Sequence, residues 1–272
     1  MLKTNYHTHT KRCGHAVGED EASVQAAIQA GIKVLGFSDH VPFHPSCQKE
    51  RMDLEEYPNY LNSLKALKKK YENDITIYIG LEVEYYEEEL DLLIQFRKEL
   101  DYCILGQHNL TLDGKYTLDL TTPEELDAYF HLIEKACAMH LCDYIAHPDY
   151  ALWSYPRIDG SVKALAKQFA KLSKYYQIPL ELNCGSGVHK GMRTYEEGLR
   201  YPYPTRAFFE VFAEEKCPII IGLDAHNPND FLTEEYLNRS LSIVEGLDLH
   251  FLTDYDLIKD AKERKQKLAS LF

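Results

Sequence analysis

The chain has 272 residues, 45% of them hydrophobic and 27% charged, with a formal net charge of −13. This length suits one α/β barrel, which takes about 250 residues, and it supports a large core without staples. The acidic surface argues against nucleic acid and anionic membranes as partners, but a small anionic substrate stays open where bound cations dominate the local field.

No internal repeat, low-complexity tract or linker interrupts residues 1–272, so one domain is expected. The N-terminal run MLKTNYHTHT lacks the apolar stretch of a signal peptide, and runs such as 218–223 are too short to cross a bilayer. The seven cysteines, at 13, 47, 103, 137, 142, 184 and 217, are odd in number and form no C-x-x-C pair. Reduced, mostly buried thiols in a cytoplasmic protein are the reading that follows. The sequence carries no signal of oligomeric state.

The first apolar run, 2–7, reads as a strand ending in His7, with His9 and His15 just beyond it. A helical pattern over 19–30 stops at Gly31, a natural C′ residue. A second strand over 34–40 ends on His40, and a helix is expected over 54–71. The third strand, 75–85, carries Glu82 in I-G-L-E-V-E and is followed by a helix over 87–100. The fourth, 102–108, ends on His108. Thr122, Pro123 and Glu125 then form a capping-box helix start. Strand five, 143–147, ends on His147, with a helix over 161–175. Strand six, 179–183, ends on Asn183, with a helix over 204–214. Strand seven, 218–224, ends on Asp224, with His226 beyond it and a helix over 234–245.

Repeated βα units form a closed barrel or an open doubly wound sheet. Seven of the twelve histidines lie at or just past strand ends, spread over most of the chain. A barrel brings all C-terminal strand ends to one face, whereas an open sheet spreads them along a line. The dispersal therefore favours a distorted (β/α)7, TIM-like barrel. A lone strand-end histidine is more often a hydrogen-bonded structural residue, and His131, His140 and His250 keep that reading. The same chemistry at five or six strand ends is another matter. His7 and His9 share one side of a strand, as do Asp224 and His226. Imidazoles and carboxylates in this number suit two or three divalent transition-metal ions, Zn, Mn or Fe, with Glu82 able to bridge two. A glycosidase built on Glu82 and Glu84 would leave the histidines without a task.

The motifs H7-T-H9-T, H15, S38-D39-H40, G80-L81-E82, G106-Q107-H108, H147-P148-D149 and D224-A225-H226 resemble those of the polymerase and histidinol phosphatase (PHP) superfamily, in the same order. The resemblance implies a distorted seven-stranded barrel and three metal positions: His7, His9, Glu82 and Asp224; Glu82, His108 and His147; His15, His40 and His226. Within the superfamily the chain looks most like the stand-alone histidinol-phosphate phosphatases, in its size, in G36-F-S-D-H-V-P, and in Asn183 followed by G191-M-R193 and Y201-P. One departure is G-Q-H-N at 106–109, where many relatives carry Ser-Val or Ser-Ile before the histidine.

The activity implied is a phosphoric monoester hydrolase acting on a small phosphorylated substrate, histidinol phosphate first, with another small phosphate ester or nucleotide as the alternative. A non-catalytic metal-storage or metal-sensing module is the reading from outside enzymology. Arg157 and Arg193 follow strands five and six and are expected at the phosphate, where a guanidinium fork binds best. His189 and His44 are candidates to protonate the leaving group or to bind the substrate, and Asp149 to orient a metal ligand.

Overall fold

Apolar runs rich in Val, Ile, Leu and Tyr become the strands of one curled sheet, and the amphipathic segments between them become helices around it. The computed structural model describes residues 2–44, 50–253 and 255–271. In chain order the main elements are β1 (Thr4–Asn5), α1 (Asp20–Gln29), β2 (Val34–His40), α2 (Tyr57–Lys70), β3 (Thr76–Val83), α3 (Leu90–Glu99), β4 (Tyr102–Leu105), α4 (Pro123–Ala138), β5 (Tyr144–Ile145), α5 (Gly160–Tyr176) and β6 (Leu180–Asn183). There follow α6 (Ser186–His189), β7 (Arg193–Tyr195), β8 (Gly198–Arg200), α7 (Arg206–Glu214), β9 (Pro218–Gly222), α8 (Glu235–Ile243), β10 (His250–Phe251) and α9 (Leu257–Ala269).

Eight strands hydrogen-bond in the order β1-β2-β3-β4-β5-β6-β9-β10, and every pairing is parallel. Beyond the C-terminal strand ends the sheet closes on itself. Thr8 bridges Ala225, with His9 N donating to Ala225 O at 2.9 Å and Ala225 N donating to His7 O at 3.1 Å. At the other end β10 lies along the first residues of β9, pairing His250 with Pro218. The barrel is thus TIM-like and distorted, as expected, with an eighth strand and a final helix beyond the predicted elements. That helix buries Leu257, Ile258, Ala261, Arg264 and Leu268, a helical spacing along one face. β7 and β8 form a separate antiparallel hairpin.

Several strands end sooner than the apolar runs suggest: β5 at Ile145 and β9 at Gly222. The reason is local. His147 (φ 28°) and Asp224 (φ 50°) have positive φ, which takes the chain out of the ladder at those residues. The predicted capping box is present, since Glu125 N donates to Thr122 Oγ1 at 3.3 Å and Thr122 N donates to Glu125 Oε2 at 3.2 Å.

Two buried devices hold the frame. Tyr102 crosses the barrel interior and donates to Tyr6 O at 2.7 Å and Phe37 O at 3.0 Å, and Gly36 and Gly80 leave room for its ring. At the start of β5, Asp143 takes a two-pronged bond from Arg97 of α3 (2.7 and 2.6 Å) and a third from Cys103 N (2.9 Å). Cys13, Cys103, Cys137, Cys142, Cys184 and Cys217 are buried and unbridged; Cys47 lies outside the described residues. Among the described residues no helix is long and apolar enough to cross a membrane.

Candidate metal centre and active site

The strand ends deliver the candidate ligands to one place. The register pairs His40 with Glu82 at the tops of β2 and β3. His108, His147, Asp224 and His226 lie on the turns just after β4, β5 and β9, and His7, His9 and His15 follow β1. His15, His40, Glu82, His108, His147, Asp224 and His226 line one cavity of about 150 Å³, with His7 and His9 wholly or almost wholly buried beneath it.

The donor atoms converge in three groups. His7 Nε2 lies 3.1 Å from His9 Nε2, 3.4 Å from Asp224 Oδ1 and 3.7 Å from Glu82 Oε1. His9 Nε2 lies 3.2 Å from Asp224 Oδ1 and 3.6 Å from Glu82 Oε2. A tetrahedral ion with bonds of about 2.0–2.1 Å holds its ligands about 3.3 Å apart, so these separations suit one ion. On the other side, Glu82 Oε1 meets His147 Nε2 at 2.8 Å and His108 Nε2 at 3.6 Å. In the third group His15 Nε2 and His226 Nε2 are 3.0 Å apart, with a ring nitrogen of His40 close by. His40 Nδ1 also reaches Glu82 Oε2 at 3.0 Å, so Glu82 stands between all three groups.

The chemistry of this donor set fits divalent ions. Glu82 Oε2 is buried without a well-formed hydrogen bond, and its close neighbours are ring nitrogens of His40 at 3.0 Å and His9 at 3.6 Å, a setting that suits a cation. Burial would push the Glu82 carboxyl up, but His108, His7 and His40 outweigh it and hold it well below its usual range; Asp224 behaves likewise beside His7 and His9. Burial and the charge of His9 hold His40 well down and bring His226 to about 3, so both imidazoles are neutral with free lone pairs. His7 and His9 go the other way. Burial opposes their charge, but Glu181 and Asp224 hold His7 well above its ordinary value, and Asp224 and Asp39 hold His9 at about 9.

Around the donors stands a layer of orienting groups absent from the predicted site. Glu181 of β6 takes His7 Nδ1 on Oε1 at 2.8 Å, while its Oε2 accepts His147 N at 3.0 Å and Asn183 Nδ2 at 2.8 Å. Its signal was an acid inside an apolar strand. Glu84 lies 3.4 Å from His108 Nδ1, accepts His108 N at 3.1 Å and Tyr86 OH at 2.6 Å, and is gripped by Arg51. Such partners fix the ring orientation of metal-binding histidines. Three glycines make the space: a Cβ on Gly106 would strike Glu82, on Gly185 Asp224, and on Gly222 Glu181.

The chain matches the PHP domain over residues 5–185. It belongs to the PHP domain family. Proteins similar to it include a histidinol-phosphatase of Bacillus subtilis, 27% identical over 270 residues that cover 88% of this chain and 100% of that one. A Deinococcus radiodurans protein described as a probable histidinol-phosphatase is 29% identical over 241 residues, 82% of this chain and 86% of that one. In structure the PHP fold aligns with histidinol phosphate phosphatase from Lactococcus lactis, crystallised with zinc, L-histidinol and phosphate, at a TM-score of 0.68 and 17% identity over 95% of this chain and 98% of that one. Asp224 and His226 lie beyond the matched PHP segment, yet they complete the same donor cluster.

The residues expected to handle substrate are placed differently from that cluster. Arg157 was expected at the phosphate; its side chain is 61% exposed, pairs with Glu196 and Asp159, and lies outside the cavity lining. Arg193 sits on the exposed hairpin with its guanidinium 5.3 Å from the centre of the Trp153 ring, and Trp153 itself lines the cavity. His189 turns away and stacks on Tyr236 with ring centres 3.5 Å apart. His44 is exposed and faces Glu89 at 3.8 Å. Asp149 accepts Thr205 N at 2.5 Å, so it anchors the loop before α7; no hydrogen bond to His147 Nδ1 is present. The cations that do line the cavity are Arg51 and Lys190, and Tyr116, Tyr150, Trp153 and Tyr203 give it an aromatic wall.

Proposed function

We propose that this chain is a metal-dependent phosphomonoesterase that hydrolyses L-histidinol phosphate to L-histidinol and phosphate, a cytoplasmic step of histidine biosynthesis. The observation that carries the reading is the convergence of nine nitrogen- and oxygen-donor side chains on one cavity floor, with Glu82 central to three groups. Histidinol phosphate enters through the relatives named above, whose similarity covers 88% and 82% of this chain.

The residues that would hold metal are His7, His9, Glu82 and Asp224; Glu82, His108 and His147; and His15, His40 and His226, giving two or three ions of Zn, Mn or Fe. Bound there, such ions lower the pKa of water and neutralise charge on phosphoryl oxygens. The protein's own part is to fix the donors. Glu181 holds the His7 ring, Glu84 holds His108, and the three glycines keep the acids from being displaced. The Tyr150 ring packs 4.9 Å from that of His147 and 5.1 Å from that of His108, walling the site. Burial raises its hydroxyl further above the ordinary phenol value, so the proton stays on the phenol even in alkaline solution and is available for a hydrogen bond.

The test is steady-state hydrolysis of a panel of phosphate monoesters by the metal-loaded protein. The proposal expects kcat/KM to be highest for histidinol phosphate. A higher value for a nucleotide or sugar phosphate would assign the site to another small ester, and no turnover of any ester would leave only a metal-binding role.

A further inference from the structure

The cavity walls carry more charge than metal binding uses. Of the acids that line it, Glu82 and Asp224 sit among the histidines and Glu84 is held by Arg51, His108 and Tyr86. Glu50 differs. It lines the cavity and is exposed, and among the described residues it makes no hydrogen bond or ion pair. It shares that lining with His15, Tyr150 and His226, which places it at the lip of the metal cluster. Lys190 is its counterpart. It also lines the cavity, has no carboxylate partner among the described residues, and rests 5.2 Å from the centre of the Trp153 ring.

An unpaired carboxylate at the mouth of a phosphate-binding cavity repels a dianion unless the substrate brings a cation of its own. An unpaired ammonium does the opposite for every phosphate. A lysine held only by an exposed cation–π contact, worth about 0.5–1 kcal/mol, leaves it readily for a phosphoryl oxygen.

We propose that Glu50 and Lys190 make the cavity selective for zwitterionic phosphate esters, Lys190 receiving the phosphate and Glu50 an ammonium carried by the leaving group. The inference rests on the phosphomonoesterase reading and deepens it, since an amino-alcohol phosphate is the substrate class it names. Neither residue is a metal ligand, so both act on affinity for substrate and leave the donor cluster intact.

The experiment uses non-hydrolysable probes, so it reads binding without turnover. Metal-loaded wild type, Glu50→Gln and Lys190→Met are titrated calorimetrically with propylphosphonate and with 2-aminopropylphosphonate, and metal content is counted in each sample. Wild type is expected to bind the amine-bearing probe more tightly. Glu50→Gln should remove that preference, weakening the aminopropyl probe about tenfold and the propyl probe not at all; Lys190→Met should weaken both about tenfold, as loss of a charge-assisted contact does. Metal content should stay at the wild-type value. Equal affinity of wild type for the two probes, or a Glu50→Gln effect that is the same on both, overturns the role of Glu50. Unchanged binding by Lys190→Met overturns that of Lys190. Selective binding of the aminopropyl probe by a protein that ignores histidinol phosphate would reject that substrate and keep the class.

Discussion

Glu82 is the residue on which the metal groups depend. It is 1% exposed, it meets His7, His9, His40, His108 and His147 within 3.7 Å, and Gly106 exists to make room for it. Glu82→Gln keeps shape and size but loses the charge, so we expect a folded protein that retains fewer ions and loses most of its activity. Unchanged turnover at full metal content would remove the bridging role. Glu181 acts one step further out. Glu181→Gln should leave the fold intact and weaken metal affinity about 10–100-fold, the usual cost of losing an orienting partner, as read by competition with a chelator. Protons report on the same cluster. Against the pull of burial, Asp224 and Asp39 push His9 up to about 9 and Glu181 raises His7 in the same direction, so the pair carries bound proton at pH 7.5 that a metal ion must displace. Metal binding at pH 7.5 should therefore release protons, and affinity should fall as pH falls. Calorimetry in buffers of different ionisation heat measures the release; none at pH 7.5 would contradict this account of the two histidines.

At the scale of elements, the strands were legible because their apolar runs are bounded by Gly, Pro, Asn and Asp, and the donors were legible because like chemistry recurs at the ends of all these runs but the sixth, which ends on Asn183. What the sequence hid was direction. Arg157 and His189 follow the right strands, but the loops turn their side chains to Glu196 and Tyr236. Glu50 and Arg51, far from any predicted strand end, are brought to the cavity instead. β10 is a two-residue strand, too short for alternation to show. The same limit hid the frame: nothing in the sequence joins Arg97 of α3 to Asp143 at the start of β5, yet both side chains are fully buried and bonded at 2.6 Å. Arg97→Met should cost about 3–5 kcal/mol, because Asp143 is left buried without its fork. Chemical denaturation measures this, and a loss under about 1 kcal/mol would mean that Arg264, 3.5 Å from Asp143, suffices alone.

The whole molecule joins an acidic exterior, net −13, to a site with three buried carboxylates around His7: Glu82, Asp224 and Glu181. Bound cations would offset that concentration of charge, so metal should stabilise the folded chain as any ligand of the native state does, by about 2.7 kcal/mol at a hundred times its Kd. Chelation should lower the melting temperature and added metal restore it; identical melting with and without metal would separate the cluster from the fold. The most direct test of the central claim combines chemistry with counting. Metal-free protein is titrated with Zn, Mn or Fe while bound ions and phosphate release from histidinol phosphate are measured in the same samples. The account predicts no turnover without metal and turnover that rises as occupancy passes one ion per chain towards two or three. Full turnover in the presence of chelator, or saturation at one ion, would contradict it.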